Sequence, residues 1–215
     1  MNYCRFRNDF IKRMANAGGG GLPAEYQQVE YLQSSGQQYL NIGAIANHQY
    51  IDIDFAYVNW VNNRYAQYNF NGLIGCNNIY VGGARVDTKL NFAQTPSIGG
   101  SVHNTGVTRI NITANTKYNI YLSPSIYKFD GQTIDNLTAG DIVGSFNCYV
   151  FACYAPTDAA SATSSAARVY RLKTSSVEMY PCYRKSDIKP GFYDVANDSF
   201  YTNAGTGEFI VGNNV

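Results

Sequence analysis

Two acidic residues, Asp52 and Asp54, have the spacing that comes nearest to that of a catalytic pair. They alternate with apolar residues over positions 50–55, so on a β-strand both carboxylates project from the same face. A retaining glycosidase needs two carboxyl groups about 5 to 5.5 Å apart, which such a pair could supply. Position 56, where a third acid would extend the set, is alanine. We therefore interpret both carboxylates as solvated residues on the outer face of a half-buried strand.

The stretch 58–69 contains the only tryptophan of the chain, together with amides, tyrosines and an arginine. Aromatic rings and amides suit the faces and hydroxyl groups of sugars, and Trp, Tyr and Arg are also enriched at protein interfaces. The same composition is typical of an ordinary hydrated loop, so three interpretations stay open. If the stretch binds a ligand, the candidate residues are Trp60, Asn62, Arg64, Tyr65 and Tyr68.

The other residues that could do chemistry do not form a recognisable set. His48 and His103 have no Asp or Glu at a spacing typical of a metal site or a triad. The five cysteines are scattered, odd in number and without a C-x-x-C pair, which argues against a metal cage or a disulfide framework. Asp194, Asn197 and Asp198 could offer calcium three oxygen ligands only from an unusually open turn. We predict no metal and no cofactor.

The composition predicts one β-rich domain. Of the 215 residues 45% are hydrophobic and 14% charged, with 19 Tyr, 11 Phe and 20 Gly, which favours strands and tight turns. The net charge of +1 gives no general attraction to nucleic acid. No apolar run approaches the ~20 residues of a membrane span, and the N-terminus lacks an apolar core with a small-residue cleavage site. These features predict a protein made in the cytoplasm, with no membrane span and no nucleic-acid partner.

Residues 1–17 are the segment whose pattern predicts a helix. At helical spacing its aromatic residues lie near one face, while most of its basic residues point elsewhere. The glycine run 18–21 is typical of a flexible joint, so we divide the chain into an anchor (1–17), a linker (18–21) and a domain (22–215). The alternative, a frayed terminus without a role, stays open. The candidate anchor residues are Tyr3, Arg5, Phe6, Arg7, Phe10, Lys12 and Arg13.

From residue 22 onward, apolar and polar residues alternate as in half-buried antiparallel strands. The segments 50–55 and 109–114 show this pattern most clearly, with Ala114 among the residues expected to point inward. Tyr118–Leu122 repeats the pattern after a short polar link, which predicts a hairpin with 109–114. Asp130-Gly131 is a dipeptide favoured in two-residue hairpin turns and predicts a second hairpin.

Four segments complete the predicted domain. The stretch 146–154 is apolar at nearly every position, which predicts one central strand covered on both sides. Residues 157–167 are small and polar and predict a surface loop, after which alternation resumes over 168–173. Residues 194–200 predict a tight turn between two aromatic strands. Many short strands separated by turn residues predict a β-sandwich.

The two ends of the domain carry a family resemblance. The opening block 22–40 (LPAEYQQVEYLQSSGQQYL) and the closing segments 181–187 (PCYRKSD), 191–194 (GFYD) and 200–209 (FYTNAGTGEF) resemble laminin-G-like, concanavalin A-like domains. Such domains occur in gut bacteria and in their bacteriophages, crAss-like phages included. The resemblance implies an antiparallel jelly roll whose first and last strands lie in one sheet. We therefore predict an all-β fold, a concanavalin A-like β-sandwich with a short N-terminal helical anchor.

The residues of these blocks are typical of scaffold rather than of a site. Gly191, Gly205 and Gly207 mark positions where the backbone is expected to turn, and the aromatic residues supply apolar faces to a core. Glucanases with concanavalin A-like folds carry their acids in a Glu-x-Asp-x-Glu run, which the stretch 52–56 does not match. The resemblance thus implies a binding or structural module rather than an enzyme.

The resemblance and the basic N-terminal segment together predict a structural protein of a phage virion, assembled in the host cytoplasm. A head fibre or a capsid-decorating protein fits best, with residues 1–17 docked on a capsid or tail protein. The sandwich would project outward, as a homotrimer by analogy with other fibres, with host glycans as candidate ligands. A tail-associated receptor-binding protein and a bacterial surface adhesin are alternatives, and a glycoside hydrolase is the least favoured.

Overall fold

The computed structural model describes residues 21–45, 50–59, 71–76, 79–84, 89–94, 110–123, 126–135, 146–153, 163–164 and 166–215. The regular structure in these ranges is entirely β, as predicted, and no helix within them could cross a membrane. The strands, in chain order, are β1 (Tyr26–Gln28), β2 (Leu32–Gln33), β3 (Leu40–Ile45), β4 (Ile51–Asn59), β5 (Asn71–Cys76), β6 (Ile79–Ala84), β7 (Lys89–Gln94), β8 (Ile110–Asn111), β9 (Tyr118–Leu122), β10 (Tyr127–Phe129), β11 (Gln132–Asp135), β12 (Phe146–Val150), β13 (Ala152–Cys153), β14 (Thr163–Ser164), β15 (Ala166–Thr174), β16 (Glu178–Arg184), β17 (Lys189–Asp194), β18 (Ser199–Thr202) and β19 (Ile210–Val211).

Several predictions fall outside the described residues. They are the anchor helix 1–17 with its candidate contact residues, the first three glycines of the linker, and the candidate ligand residues between Trp60 and Tyr68. The helix, the linker and the loop site remain predictions.

Two antiparallel sheets share one hydrophobic core. Eight strands of the larger sheet follow the order β11-β10-β9-β4-β15-β16-β17-β18, and β1, β2 and β19 join it through β16 and β15. The smaller sheet has the order β3-β12-β5-β6-β7-β8. Phe55 and Val169 of the larger sheet belong to the same buried cluster as Leu40, Ile74 and Val150 of the smaller one. Two sheets packed about a common core form a β-sandwich.

Strand β4 crosses the larger sheet between β9 and β15. Its apolar residues point inward, as the alternation predicted, and Ile51, Ile53 and Phe55 are each at most 5% exposed. Burial of such a side chain contributes about 1.5 to 3 kcal/mol. A register shift by one residue would expose all three, so the apolar side fixes the outward direction of Asp52 and Asp54.

The first and last strands lie in the same sheet, as the resemblance implied. Strand β2 pairs with β15 and also with β19, which is close to the C-terminus. Val29 and Asn214 form a further antiparallel bridge. The opening and closing segments of the chain therefore complete this sheet together.

The loops 34–39 and 203–207 interlock beside these strands, and we call this pair the clasp. Gln38, which is 4% exposed, donates from its amide to the Thr206 carbonyl oxygen at 3.1 Å. Asn203 accepts, also at 3.1 Å, from a backbone N–H of the opposite loop. Both loops belong to the blocks that carry the family resemblance. Their polar side chains bind the backbone of the opposite loop and so serve the scaffold.

A second, smaller core lies on the other side of the larger sheet. Phe192 faces the main core, so Tyr193 beside it faces the opposite way. Tyr193, Cys182 and Leu22 are buried together there, with the Tyr26 ring centroid 4.6 Å from that of Tyr193. Burial raises the pKa of the Cys182 thiol to about 12, so the thiol stays protonated and behaves as a small apolar group.

Two predicted turns are confirmed. Asp130 and Gly131 have positive φ values of 48° and 77°, as a type I′ turn requires, and they join β10 to β11. Residues 195–198 form the turn between the paired strands β17 and β18.

The hairpin predicted between 109–114 and Tyr118–Leu122 is wrong. Strand β8 pairs with β7 in the smaller sheet, whereas β9 pairs with β4 and β10 in the larger one. Ala114 is exposed in a turn rather than directed inward. Asn115 has a φ of 62°, and its N–H donates to the Tyr57 carbonyl oxygen at 2.7 Å. This left-handed residue turns the chain from one sheet to the other.

The central strand predicted over 146–154 is interrupted. Strand β12 lies between β3 and β5, as a central strand should. Phe151 then adopts a φ of 67°, and β13 pairs with β14 instead. The Phe151 ring is fully buried, with centroid distances of 6.3 Å to Phe192 and 5.1 Å to Phe209. The bend thus accompanies the placement of a large ring in the main core.

Packing corrects two further local predictions. The loop predicted over 157–167 is wrong at its C-terminal end, because Thr163–Ser164 form β14 and because Ala166 and Ala167, 7% and 0% exposed, begin β15. Gly191 lies inside β17 rather than at a turn. A Cβ at Gly191 would overlap the Tyr201 carbonyl oxygen, so the close approach of β18 requires glycine there.

Candidate functional site

The outer face of the larger sheet carries two clusters of polar side chains that share one lysine. All members are half-buried except this lysine, which is exposed. The acid–cation cluster consists of Asp52, Asp54, Lys117, Asn119 and Arg171. The tyrosine–cation cluster consists of Tyr31, Gln33, Lys117, Arg168 and Tyr170.

A single amide joins the two carboxylates of the acid–cation cluster. Asn119 Nδ2 donates to Asp52 Oδ1 at 2.8 Å and to Asp54 Oδ1 at 2.7 Å. The remaining oxygens face cations, with Arg171 Nη2 2.7 Å from Asp52 Oδ2 and Lys117 Nζ 3.1 Å from Asp54 Oδ2. Each carboxylate side chain is 21% exposed. Both point outward as predicted, but they are bound to neighbouring side chains rather than simply solvated.

This cluster connects three strands, because Asn119 lies on β9, the two acids on β4 and Arg171 on β15. Half-exposed ion pairs of this kind contribute about 0.2 to 1 kcal/mol each. The space between the two carboxylates is occupied by the Asn119 amide. A substrate oxygen would have to displace that amide to lie between both acids.

A β-bulge brings two consecutive residues of β15 to the outer face. Val169 is paired with Phe55, and Arg171 with Asp54, so that Tyr170 is the additional residue. The alternation predicted over 168–173 is therefore broken at Tyr170. As a result Tyr170 contributes to the tyrosine–cation cluster, and Arg171 to the acid–cation cluster.

The tyrosine–cation cluster is a stack of rings and cations. The Tyr31 and Tyr170 rings meet edge to face, with centroids 5.5 Å apart and an interplanar angle of 68°. Lys117 Nζ lies 4.8 Å from the Tyr170 ring centroid, and Arg168 Cζ lies 4.7 Å from that of Tyr31. Arg168 Nε also donates to Gln33 Oε1 at 2.8 Å. Two rings, an amide and two cations are thus presented together by β2 and the residue before it, by β15, and by the residue before β9.

Strands β15 and β16 carry another pair of charges outside these two clusters. Lys173 Nζ lies 2.9 Å from Glu178 Oε2, and the Tyr180 hydroxyl donates to Glu178 Oε1 at 2.8 Å. The hydrogen bond from Lys173 lowers the pKa of Glu178, and the Tyr180 hydroxyl acts in the same direction. Burial raises the pKa of Tyr180. At neutral pH the Glu178 carboxylate therefore lies between the Lys173 ammonium group and the neutral phenol of Tyr180.

The fold is similar to that of a solved structure. A protein from Bacteroides ovatus, described as a "putative carbohydrate binding protein", superposes with a TM-score of 0.52 and 9% sequence identity. The alignment covers 92% of this chain and 64% of that one, so the chain spans less than two thirds of its length. At this identity the likeness shows the fold alone. No family model and no curated protein matches the sequence.

In the turn considered for calcium, the Asp194 and Asp198 carboxylates accept other hydrogen bonds. Asp194 accepts from two backbone N–H groups, at 3.0 Å each, and from the Asn197 amide at 2.6 Å. Asp198 accepts from the Tyr193 hydroxyl. In the part of the chain that the structure describes, no three His, Cys, Asp or Glu residues are placed to hold a metal ion.

Sequence reasoning identified only Asp52 and Asp54 among the residues of these clusters. Tyr170 and Arg171 did carry a local signal, because the apolar residues on either side of them are three positions apart rather than two. Arg168 carried none. Its partner Gln33 is 135 positions away, and nothing in either local pattern indicates the contact.

Proposed function

We propose that the chain is a non-enzymatic jelly-roll module of a bacteriophage virion, a head fibre or capsid-decorating protein that binds host-surface glycans. In this proposal residues 1–17 attach the protein to a capsid or tail protein, and the sandwich projects as a homotrimer. The tyrosine–cation cluster is the observation that carries the glycan-binding role.

The cluster suits sugars for three physical reasons. Tyrosine combines an apolar ring, which can cover the face of a pyranose, with a hydroxyl that can bond to its substituents. The cations and the Gln33 amide supply hydrogen-bond donors and an acceptor beside the rings. The side chains are held by strands and by one another, so little conformational entropy remains to be lost on binding.

The acid–cation cluster favours a binding module over a hydrolase. Each of the two acids already has a cationic partner, and the Asn119 amide lies between them. A retaining hydrolase needs one carboxylate as a nucleophile and the other carboxyl group as an acid on opposite sides of a glycosidic bond. The observed bonds instead connect neighbouring strands, so we assign Asp52 and Asp54 to the support of the binding face.

The virion role rests on the resemblance of both ends of the domain to phage and bacterial display domains, and on the basic segment that precedes the sandwich. Leu22 is 3% exposed and packs against Cys182 and Tyr193. A chain that begins at Leu22 therefore keeps every described core residue, which makes it a suitable truncation for testing the anchor.

Replacement of Tyr170 by alanine is expected to weaken glycan binding about tenfold, because a buried aromatic contact is typically worth more than 1 kcal/mol at an interface. The measurement is binding of the full chain to an array of bacterial capsular and lipopolysaccharide glycans, followed by titration with the best ligand. Tyr121→Ala is the matched control, since its ring stacks on Tyr50 outside both clusters. Absence of binding across the array would refute the glycan role, and equal losses in both variants would place the site elsewhere.

Removal of residues 1–21 is expected to abolish attachment to virions and to reduce a trimer to a monomer. The physical reason is that the predicted anchor supplies the apolar and basic contacts, either to the capsid or between copies. Solution mass measurements and a virion-binding assay on the full chain and on the chain from Leu22 test this. Identical monomeric masses together with unimpaired attachment would rule the anchor out.

A further inference from the structure

We infer that Arg168 is the specificity-determining residue of the tyrosine–cation cluster and that it binds the carboxylate of an acidic sugar, such as a uronic acid residue. This inference rests on the glycan-binding role proposed above. It adds the chemical class of the ligand, which the rings of the cluster do not determine by themselves.

The Arg168 guanidinium is held in one position by uncharged groups. Its Nε donates to Gln33 Oε1 at 2.8 Å, and its Cζ lies 4.7 Å from the Tyr31 ring centroid. The Tyr31 ring is itself fixed, because it packs so closely on Gly212 that a Cβ there would lie 2.9 Å from Tyr31 Cδ1. A planar cation stacked on a fixed ring, with Nε already bonded, presents its two terminal nitrogens in a defined direction.

Arg168 differs in this respect from two other arginines of the same sheet. Arg171 donates to Asp52, and Arg184 binds Asp187 through both Nε and Nη2. For Arg168 the bonds within the described ranges go to an amide and a ring, and none goes to a carboxylate. Among the described residues no carboxylate thus neutralises its positive charge, which lies half-buried over the Tyr31 ring.

A carboxylate complements this arrangement. The two terminal nitrogens of a guanidinium match the two oxygens of a carboxylate in a flat, bidentate pair, and such charge-assisted bonds are about twice as strong as neutral ones. Tyr170 lies beside Tyr31 and can contact the sugar ring that bears the carboxylate. Lys117 lies over the Tyr170 ring near the same ligand, but its charge is already paired with Asp54, so Arg168 supplies the charge that the carboxylate meets.

The test compares polygalacturonate and hyaluronan with the carboxyl-reduced form of each, by calorimetric titration of the full chain. We expect at least one carboxylated polymer to bind about tenfold tighter than its reduced form, the equivalent of about 1.4 kcal/mol. Arg168→Gln should weaken binding of the carboxylated form more than binding of the reduced form, so that the two affinities become equal. Arg168→Lys, which keeps the charge and loses the planar pair of donors, should retain only part of the preference.

Arg184→Gln is the matched control, because it removes the same charge from an exposed pair outside both clusters, and it should keep the full preference. Thermal unfolding of each variant verifies that it is folded. The inference would be overturned by equal affinity for the carboxylated and reduced forms, or by a preference that survives in Arg168→Gln. Selectivity for sulfated or phosphorylated glycans alone on the bacterial glycan array would also overturn it. Each of these results would leave the glycan role standing. Absence of binding to any form in this test and on the bacterial glycan array would overturn both.

Discussion

Replacing Gly205 by alanine is expected to lower the free energy of unfolding by about 3 kcal/mol, the upper end of the usual cost of overpacking. The glycine lies in the clasp, where an added Cβ would overlap the Gln37 carbonyl oxygen and come within 3.0 Å of the Tyr39 ring. A flexible side chain could move away from such a group, but a backbone carbonyl can do so only by opening the loop. The loss is a large part of the 5 to 15 kcal/mol or so that stabilises a typical domain.

Urea-induced unfolding of the purified chain measures this effect. Gly131→Ala is the control, because Gly131 has no atom within 4 Å of its Cβ position and a φ of 77°. Its substitution should cost about 1 kcal/mol, for the left-handed backbone alone. If Gly205→Ala loses no more than Gly131→Ala, the clasp does not hold the two ends of the domain together.

Replacing Asp194 by alanine is expected to cost about 4 kcal/mol. The carboxylate is fully buried and accepts bonds from the N–H groups of Glu178 and Ala196 and from the Asn197 amide. Hydrogen bonds to a charged group contribute about 1.5 to 3 kcal/mol each, and alanine would leave all three donors without this partner. The start of β16 and the turn between β17 and β18 would lose one of the attachments that they share, while the bond from Val195 N–H to the Glu178 carbonyl oxygen would remain.

Asp194→Asn separates the causes of this loss. Asparagine keeps one oxygen, which can still accept from both backbone N–H groups, but directs an NH2 group at the Asn197 amide. We therefore expect about half of the alanine loss, again measured by urea unfolding. An equal loss in the two variants would show that the bonds to the backbone are not what stabilises the turn.

The effects expected for these substitutions distinguish residues of the scaffold from residues of the proposed binding surface. Gly205 and Asp194 belong to the closing part of the domain, which carries the family resemblance. Gly205 lets two backbone segments approach closely, and Asp194 binds backbone N–H groups. Substitutions there should reduce stability and leave the ligand preference of folded protein unchanged. Substitutions at Tyr170 and Arg168 should do the reverse, because both side chains are half-exposed on the outer face.

Local patterns in the sequence predicted those parts of the fold that depend on neighbouring residues. The alternation around Asp52 set the inward and outward sides of β4, and Asp130-Gly131 set a hairpin turn through its positive φ values. The resemblance added one long-range feature, the presence of the first and last strands in one sheet. Each of these depends on a short stretch that carries its own signal.

The pairing of strands depends on contacts between residues that are distant in the sequence. Alternation in 109–114 and in Tyr118–Leu122 is the same whether the strands are partners or, as observed, belong to different sheets. A left-handed Asn115 between them, anchored to the Tyr57 carbonyl oxygen, determines the outcome. That carbonyl is distant in the sequence, so no local pattern could reveal it.

For the candidate site, the local alternation is enough to place Asp52 and Asp54 on one outward face, because side-chain direction on a strand alternates with a period of two. The side chains that surround them come from distant parts of the chain and are known from the three-dimensional structure. The bulge at Tyr170 brings Arg171 to Asp52 across 119 positions, and the pairing of β2 with β15 brings Arg168 to Gln33 across 135. Such contacts follow from the order of strands in a sheet, a property of the whole chain that the periodicity of one strand does not contain.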